Sequence, residues 1–228
     1  MSSRNRWWSL ALVCCGGLMG CGKSEEAAAP VAQNETAPAA EAPLTGRYPG
    51  LETAEASYPA SLRPIVVLKT SAGDIRIRLE PEKAPTTVEN FLAYVESGHY
   101  EGTIFHEVSD GYMILGGGFT RDMQPKRAGA PIRNEAHNGL LNKRGSVAMA
   151  RQSDVIDSST CQFFINLSDN EHLDHKNRTD AEYGYCVFGE VIEGMEVAEQ
   201  IGKTPVSDPK EGKPEEAVAI RTAIRVRR

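Results

Sequence analysis

The sequence predicts a mainly β fold, in which a closed antiparallel barrel is capped by two α-helices. Two observations lead to this class. Short apolar or alternating runs recur along residues 65–228 between turn residues, and only two stretches have helical periodicity. A sheet built from many short strands leaves exposed edges unless it closes on itself. We find no internal repeat.

The first two strands form a hairpin. Its sequence, "IVVLKTSAGDIRIRLE", contains an apolar run, a turn at Gly73 and Asp74, and a run in which apolar residues alternate with arginines. Alternation with a period of two places one set of side chains on each face of a strand. We therefore expect three apolar residues of the second run to point inward, namely Ile75, Ile77 and Leu79.

One long helix follows the hairpin. In "APTTVENFLAYVESGHY", apolar residues recur at the i, i+3, i+4 and i+7 spacing of one helix face. Pro85 lies near the start of this stretch and Gly98 lies just past its end, which are the positions where these residues favour helix boundaries. The apolar face consists of Val88, Phe91, Leu92 and Val95.

The remaining elements are shorter. Strand-like runs occur at "TIFHEV", "YMIL", "GSVAMA", "QFFINL" and "YCVFGEVI", and a brief helix is predicted near Met195 to Ile201. The last strand alternates, which predicts one inward face. That face consists of Val218, Ile220, Ile224 and Val226.

The N-terminus predicts export. Arg4 and Arg6 precede an apolar run over residues 7–20, which is too short to span about 30 Å of hydrocarbon but fits the core of a signal peptide. The run ends in "LMGC", which resembles a bacterial lipobox, so we expect cleavage before Cys21 and lipid attachment to its thiol. An ordinary signal peptide with an incidental cysteine is the alternative.

We therefore expect three regions: a lipoprotein signal peptide over residues 1–20, a lipidated cysteine and disordered tether over residues 21–61, and one globular domain over residues 62–228. The tether is rich in Ala, Pro, Glu and Thr, which offer too little apolar surface to offset the entropy cost of ordering the chain. We expect the domain to lie in the cell envelope, in the periplasm or otherwise outside the cytoplasm. It would meet the membrane only through the lipid.

Composition argues against several classes of function. A formal net charge of -6, without blocks of Lys or Arg, argues against a nucleic-acid surface. The glycine run at residues 116–118 lacks the Lys-Ser or Lys-Thr of a phosphate loop, so we interpret it as a turn that needs positive φ. His172 and His175 lack the further ligands of a zinc site, so no metal is expected. Cys161 and Cys186 could form a disulfide or stay as buried thiols.

Four separated motifs carry a family resemblance. "FHEVSDGYMILGGGF", "GSVAMA", "CQFFINL" and "YGYCVFGEVIEGMEV" occur in the order, and near the spacing, of cyclophilin-type peptidyl-prolyl cis-trans isomerases, which the sequence resembles from Ile65 to its C-terminus. The insertion "DHKNRTDAEYGY" is similar to that of bacterial members. The resemblance implies an eight-stranded barrel whose partners are proline-containing segments of unfolded or exported proteins. We expect a monomer that needs no cofactor.

The chemistry of this family is rotation about a bond that is partly double. An X-Pro bond isomerises over tens to hundreds of seconds, because twisting it costs ~18–20 kcal/mol. A catalyst needs an apolar pocket for the proline ring and a donor to the prolyl nitrogen as that atom becomes pyramidal. In the cyclophilins that this sequence resembles, an arginine supplies this donor.

The resemblance assigns most of a binding groove. Tyr112 stands where phenylalanine is usual, and His172 where tryptophan or phenylalanine is usual. Gln162 matches a polar catalytic position beside the proline pocket, which is itself expected from Tyr112, Met113, Phe164 and Leu173. The whole substrate-binding set is Phe105, His106, Tyr112, Met113, Ala150, Arg151, Phe164, His172, Leu173 and Tyr185.

Two departures fall on the catalytic side of the groove. Glu107 occupies the position of the family's arginine, and Leu115 occupies that of its glutamine. An ionised carboxylate only accepts hydrogen bonds, so Glu107 cannot donate to the prolyl nitrogen at neutral pH. Loss of one preorganised donor typically costs ~10²–10³ in rate. Two interpretations are open. In the first, Glu107 is a solvated or salt-bridged residue of the groove. In the second, Arg121 or Arg151 donates to the prolyl nitrogen in place of the missing arginine.

Two hypotheses for function follow. The first is an exported, lipid-anchored prolyl isomerase that assists the folding of envelope proteins, slowed by Glu107 and Leu115. The second is a non-catalytic proline-binding adaptor or chaperone on the same fold. The fold does not separate them, because one barrel can present either kind of site.

Overall fold

The computed structural model describes residues 63–208 and 211–226. The predicted signal peptide, the lipid attachment at Cys21 and the tether lie outside the described residues. No helix in the described part of the chain is long and apolar enough to cross a membrane.

The described residues form two α-helices and a set of short strands. The helices are α1 (Pro85–Glu96) and α2 (Met195–Gly202), and short 3-10 helices occur at Ala136–Asn138 and Glu171–Leu173. The strands are β1 (Ile65–Thr70), β2 (Asp74–Leu79), β3 (Thr103–Ser109), β4 (Met113–Thr120), β5 (Ser146–Met149), β6 (Phe163–Asn166), β7 (Val187–Glu193), β8 (Val206–Asp208), β9 (Lys213–Pro214) and β10 (Ala219–Arg225).

Eight of these strands close an antiparallel barrel, which confirms the predicted fold class. Neighbouring strands follow the order β1-β10-β3-β4-β6-β5-β7-β2, and β2 pairs with β1 to close the ring. Closure leaves the barrel without an open edge. β8 and β9 pair apart from the barrel as a two-stranded ribbon. Sequence periodicity does not predict this ribbon, because its strands are too short to show a period.

The hairpin of β1 and β2 turns its apolar face inward as predicted. Ile75, Ile77 and Leu79 have no exposed surface. The Thr70 hydroxyl closes the turn by donating to the carbonyl oxygen of Gly73 at 2.6 Å. The alternation in the sequence therefore sets which face of β2 enters the core.

Aromatic rings join helix α1 to the barrel core. The ring centroid of Phe91 on α1 lies 5.0 Å from that of Phe188, 5.5 Å from that of Phe163 and 5.3 Å from that of Tyr100. All four side chains are fully buried. Such pairs contribute about 0.5–1.5 kcal/mol each beyond the burial of their apolar area. The predicted apolar face of α1 therefore fixes this helix to the barrel.

The closing strand departs from the predicted alternation. Ile220 is fully buried, but 45% of Ile224 is exposed. The register between β1 and β10 shifts by one residue at Thr70. Such a bulge moves the side chains that follow it to the other face of the strand. The prediction that Ile224 faces the core is therefore wrong, and Ile224 instead pairs with Val67 on the outer face.

The three glycines at residues 116–118 lie inside β4 and not in a turn. Gly117 has a φ of +87°, and a β-carbon there would lie 2.8 Å from Cε1 of Tyr100. A β-carbon on Gly118 would lie 2.5 Å from Cγ of Gln162. These glycines therefore allow large side chains to pack directly on the strand backbone. The predicted turn is wrong, although the positive φ is present at Gly117.

Cys161 and Cys186 are both buried and are free thiols. The Thr87 hydroxyl lies 3.4 Å from the sulfur of Cys186. Burial raises the pKa of the Cys186 thiol to about 12, which keeps it protonated at neutral pH. Of the two alternatives that the sequence leaves open, the structure contains the reduced thiols.

The two histidines considered as metal ligands have separate partners. Nδ1 of His175 lies 2.7 Å from the carbonyl oxygen of Tyr183, whereas Nε2 of His172 lies 3.1 Å from the hydroxyl of Tyr112. Across residues 63–208 and 211–226, no group of three or more His, Cys, Asp or Glu side chains could hold a metal ion.

Replacing Gly117 with alanine should destabilise the barrel strongly. The new β-carbon would lie 2.8 Å from Tyr100 and 3.0 Å from Phe163 in the core, on a backbone with a φ of +87°. Gly139→Ala is the matched control, because Gly139 has a φ of +82° but no atom within 4 Å of its β-carbon position. Left-handed backbone costs ~1–2 kcal/mol in both variants, and overpacking adds ~1–3 kcal/mol in Gly117→Ala alone. Urea unfolding measures both losses, and equal losses would contradict the crowding at Gly117.

Candidate active site

A row of paired residues crosses four strands on the outer face of the barrel. Glu107 on β3 lies opposite Leu115 on β4, and Leu115 lies opposite Phe164 on β6. Phe164 in turn lies opposite Ala148 on β5. Directly paired residues project to the same face of a sheet, with β-carbons ~4.5–5.5 Å apart. The row therefore sets a carboxylate beside a strip of apolar side chains.

The apolar strip belongs to a second hydrophobic cluster, distinct from the main core. Its buried members are Met113, Ala148, Phe164, Leu173 and Val187. Three of the four residues predicted for the proline pocket are in this set, and the fourth, Tyr112, packs against it. We call this cluster with its half-buried border the groove. The border consists of Tyr112, Leu115, Leu140, Ala150 and Tyr185.

Tyr112 and His172 form one wall of the groove. Their rings stack with centroids 5.6 Å apart and planes 15° from parallel, and the Tyr112 hydroxyl lies 3.1 Å from Nε2 of His172. Burial raises the pKa of Tyr112 to about 12, and the nearby Tyr185 and Glu107 add to this rise. The hydroxyl therefore stays neutral at physiological pH. The two aromatic departures noted in the sequence thus form one hydrogen-bonded pair.

Tyr185 borders the groove, with Arg151 above its ring. Tyr185 meets Phe164 edge to face at 5.6 Å, and the guanidinium carbon of Arg151 lies 5.1 Å from the centroid of the Tyr185 ring. Arg151 also donates to four backbone carbonyl oxygens at 2.6–3.0 Å. Its guanidinium therefore holds the surrounding loops in place. The four acceptors are those of Gln152, Ser153, Asp180 and Gly184.

Gln162 and His106 contact neighbouring residues of β4, Gly118 and Phe119 respectively. The carbonyl oxygen of Gln162 accepts a hydrogen bond from the N–H of Ala150 at 3.0 Å, and its side chain packs on Gly118. His106 stacks on Phe119 with ring centroids 4.6 Å apart. Burial lowers the pKa of His106 to about 4, against an opposing interaction with Gln162. His106 is therefore a neutral side chain at physiological pH.

Phe105 does not face the groove. It is fully buried in the main core, where its ring lies 6.3 Å from that of Phe163. Gly116 makes room for it, since a β-carbon there would lie 2.8 Å from Cδ1 of Phe105. A register shift between Phe105 and Glu107 turns the first inward and the second outward. The structure thus corrects the assignment of Phe105 to substrate binding.

Glu107 is half-buried and forms no ion pair with any described residue. Burial raises its pKa. Part of that burial comes from the ribbon of β8 and β9, because a β-carbon on Gly212 would lie 3.0 Å from Cγ of Glu107. The carbonyl oxygen of Gly212 also accepts a hydrogen bond from the N–H of Val108 at 2.8 Å. Neither full solvation nor a salt bridge, the two states considered from the sequence, describes this carboxylate.

Several groove residues were not predicted from the sequence. Ala148 and Val187 lie in runs recognised as strands, and their outward direction follows only once the strand register is known. Leu140 lies in a loop with no periodicity. Gly212 lies between the two short strands of the ribbon, and nothing in the sequence indicates that it covers Glu107.

The groove and the barrel agree with a known family. Residues 65–225 match the family model described as cyclophilin type peptidyl-prolyl cis-trans isomerase/CLD. This match spans more than half of the chain, and the chain belongs to that family. It is a peptidyl-prolyl cis-trans isomerase.

Named relatives share much of the sequence. The chain is 47% identical over 169 residues to peptidyl-prolyl cis-trans isomerase A of Dickeya dadantii, covering 73% of this chain and 87% of that protein. It is 53% identical over 160 residues to peptidyl-prolyl cis-trans isomerase cyp18 of Streptomyces antibioticus, covering 69% and 96%. A cyclophilin type isomerase of Cryptosporidium parvum, solved in the presence of the dipeptide Ala-Pro, is similar with a TM-score of 0.62 and 28% identity, covering 72% of this chain and 99% of that one.

Replacing Glu107 with glutamine should change how stability depends on pH. Burial raises the native pKa of Glu107, so the folded protein binds this proton more tightly than the unfolded chain does. The stabilisation from that proton is complete below the unfolded pKa and is lost as the pH rises through the native pKa. Relative to the parent protein, Glu107→Gln should therefore gain stability between acidic and neutral pH.

Urea unfolding across that pH range measures this gain. Glu89→Gln, at an exposed position of α1, shows the effect of removing a carboxylate that is not in the groove. If the stabilities of Glu107→Gln and the parent run parallel with pH, Glu107 is not the desolvated carboxylate described above.

Proposed function

We propose that this isomerase binds proline-containing segments of exported proteins in the groove and turns them over slowly. One observation carries this proposal: Met113, Phe164 and Leu173 belong to one buried apolar cluster, and Tyr112 and Tyr185 pack against it. Proline has an apolar ring and no N–H, so it can enter such a surface without burying an unpaired donor. The Cryptosporidium parvum relative was solved in the presence of Ala-Pro, a dipeptide of the same chemistry.

Slow turnover follows from the side chain at the catalytic position. As the X-Pro bond twists, the prolyl nitrogen gains lone-pair density and needs a hydrogen-bond donor. An ionised Glu107 supplies an acceptor and a negative charge there, and the opposite residue Leu115 supplies no polar group. Binding and turnover then separate, because the apolar groove is retained and only the contact made in the transition state is missing.

Neither nearby arginine is well placed to replace the missing donor. Arg151 is already held by four backbone carbonyl oxygens and by the Tyr185 ring. Arg121 follows the end of β4, six positions beyond Leu115. At ~3.3 Å per residue, that separation along the strand is on the order of 15–20 Å. We therefore expect no arginine of the groove to act on the prolyl nitrogen.

A proline-binding adaptor or chaperone is the second candidate. The observation that favours it is the combination of a complete apolar groove with a carboxylate at the catalytic position. In this case the protein would hold proline segments without accelerating their isomerisation. Binding assays would succeed and turnover assays would fail.

We also propose that the protein acts in the cell envelope. The apolar run over residues 7–20 and the lipobox-like "LMGC" support export followed by lipid attachment at Cys21.

Replacing Glu107 with arginine should raise turnover. We expect kcat/KM for a proline test peptide to increase by up to ~10²-fold, because the substitution supplies one preorganised donor at the prolyl nitrogen. Leu115→Gln should add a smaller gain, and the two gains need not be additive because the residues are neighbours. A protease-coupled isomerisation assay measures kcat/KM for the parent protein, for Glu107→Arg and for Glu107→Arg combined with Leu115→Gln.

Arg121→Ala and Arg151→Ala are the controls for that assay. If the parent already equals an arginine-bearing cyclophilin and loses its activity in one of these variants, another arginine supplies the donor and the role given to Glu107 is wrong. If the parent has no activity while Glu107→Arg also has none, the adaptor is the better description.

Replacing Cys21 with alanine should leave an unprocessed precursor in the membrane fraction. The lipobox cysteine is the point of both lipid attachment and cleavage, so its loss blocks both steps. Metabolic labelling with a fatty acid and electrophoretic mobility measure the two steps, and Cys14→Ala is the matched control within the same apolar run. A soluble, unlipidated mature protein from the parent gene would contradict lipid attachment.

A further inference from the structure

Glu107 differs from the carboxylates that are paired with arginines in the described part of the chain. Five others form ion pairs with arginines, and these are Glu80, Glu96, Glu190, Glu193 and Glu199. Glu107 is half-buried and has no such partner among the described residues. A carboxylate that is removed from water without a counter-charge costs free energy. That cost is relieved when a cation arrives.

Among residues 63–208 and 211–226, no side chain brings a cation within ion-pair distance of Glu107. The guanidinium of Arg151, which stands over Tyr185 on the groove border, is held by backbone carbonyl oxygens of its own loops. The Tyr112 and Tyr185 hydroxyls also lie near Glu107. The charge of Glu107 helps to raise the pKa of both tyrosines. Both are neutral at physiological pH. No described residue supplies the counter-charge, and a basic group on the ligand can supply it.

We propose that Glu107 is a specificity-determining residue that makes the groove select proline segments with a lysine or arginine next to the proline. This inference rests on the proposed function, because it presumes that the proline ring binds against Phe164 and Met113. It names the substrate class as basic X-Pro segments. Acidic segments would be rejected, since a like charge would face the same carboxylate.

Strand geometry places the two parts of such a ligand at a suitable separation. Glu107 and Phe164 lie on strands separated only by β4, so their backbones are about 10 Å apart at ~4.8 Å per strand. The α-carbon of a residue adjoining proline lies ~3.8 Å from that of the proline. A basic side chain can cover the remaining distance with its apolar stem along Leu115 and its charge at Glu107.

The strength of this selection follows from the partial burial of the carboxylate. A hydrogen-bonded contact between a charged side chain and an opposite charge in such a setting corresponds to roughly 10- to 100-fold in affinity. An exposed pair would give much less, because water and salt screen it. We expect the selection to weaken as ionic strength rises but to persist at physiological salt.

The test measures a ratio of affinities on the full-length protein. Three short peptides that differ only at the residue before proline, with lysine, glutamine or glutamate there, are titrated by calorimetry. The lysine peptide should bind roughly 10- to 100-fold more tightly than the glutamine peptide, and the glutamate peptide should bind least. In Glu107→Gln the lysine-to-glutamine ratio should fall to about one, whereas Glu107→Asp should retain part of it.

Asp110→Asn is the matched control. Asp110 is an exposed carboxylate in the turn between β3 and β4, three residues from Glu107. Its removal tests whether the net negative charge of the protein attracts basic peptides, and it should leave the lysine-to-glutamine ratio unchanged. If Asp110→Asn lowers the ratio as much as Glu107→Gln does, the selection is not a property of Glu107.

The two proposals fail in different ways. If all three peptides bind with equal affinity, proline binding stands and the specificity of Glu107 is overturned. If none binds while the protein is folded by circular dichroism, the proposed function fails and the specificity fails with it. A preference for the glutamate peptide would overturn the specificity alone.

Discussion

The antiparallel register of β3, β4, β6 and β5 is the constraint on which the site depends. It sets Glu107, Leu115, Phe164 and Ala148 in one row on the outer face of the barrel. A slip of one residue in any of these strands would send its side chain into the core and bring a core side chain out. The chemistry of the groove is therefore decided by backbone pairing before any ligand is present.

The glycines of β4 show how this register is maintained. Gly116 leaves space for Phe105 inside the barrel, and Gly118 leaves space for Gln162 outside it. The same strand thus accepts close packing on both faces while keeping Leu115 in the row. On this scaffold the site combines an apolar groove with a half-buried carboxylate. An apolar groove binds a proline ring through burial, whereas catalysis requires a donor at one atom, so a single side chain can alter turnover while binding is retained.

The sequence predicted the barrel and most of the groove, because both depend on periodicity and on motifs that the chain retains. The inward face of β2 and the apolar face of α1 followed from alternation and from helical spacing. The directions of Ile224 and Phe105 did not follow, because one register shift between β1 and β10 and another between β3 and β4 change which face these side chains occupy. A bulge is a property of two paired strands and leaves no mark on one strand's pattern.

The environment of Glu107 was also beyond the sequence. Its identity at the arginine position was evident, but part of its burial comes from Gly212, more than a hundred positions away in a ribbon too short to show a period. The hydrogen bonds of Arg151 were likewise beyond the sequence, because their acceptors are loop carbonyl oxygens that only the fold brings together. Long-range contacts of this kind determine the charge environment of the site. The local sequence pattern determines the strands and helices that carry its residues.

Exchange NMR on an Ala-Pro-containing peptide tests the central claim most directly, because one sample reports both binding and isomerisation. With the parent protein, resonances of Tyr112, Met113 and Phe164 should shift on addition of the peptide, while cis-trans exchange of the peptide stays far slower than with an arginine-bearing cyclophilin at the same concentration. Exchange as fast as with that cyclophilin, or a peptide that leaves these resonances unmoved, would contradict a groove that binds proline but lacks the catalytic donor.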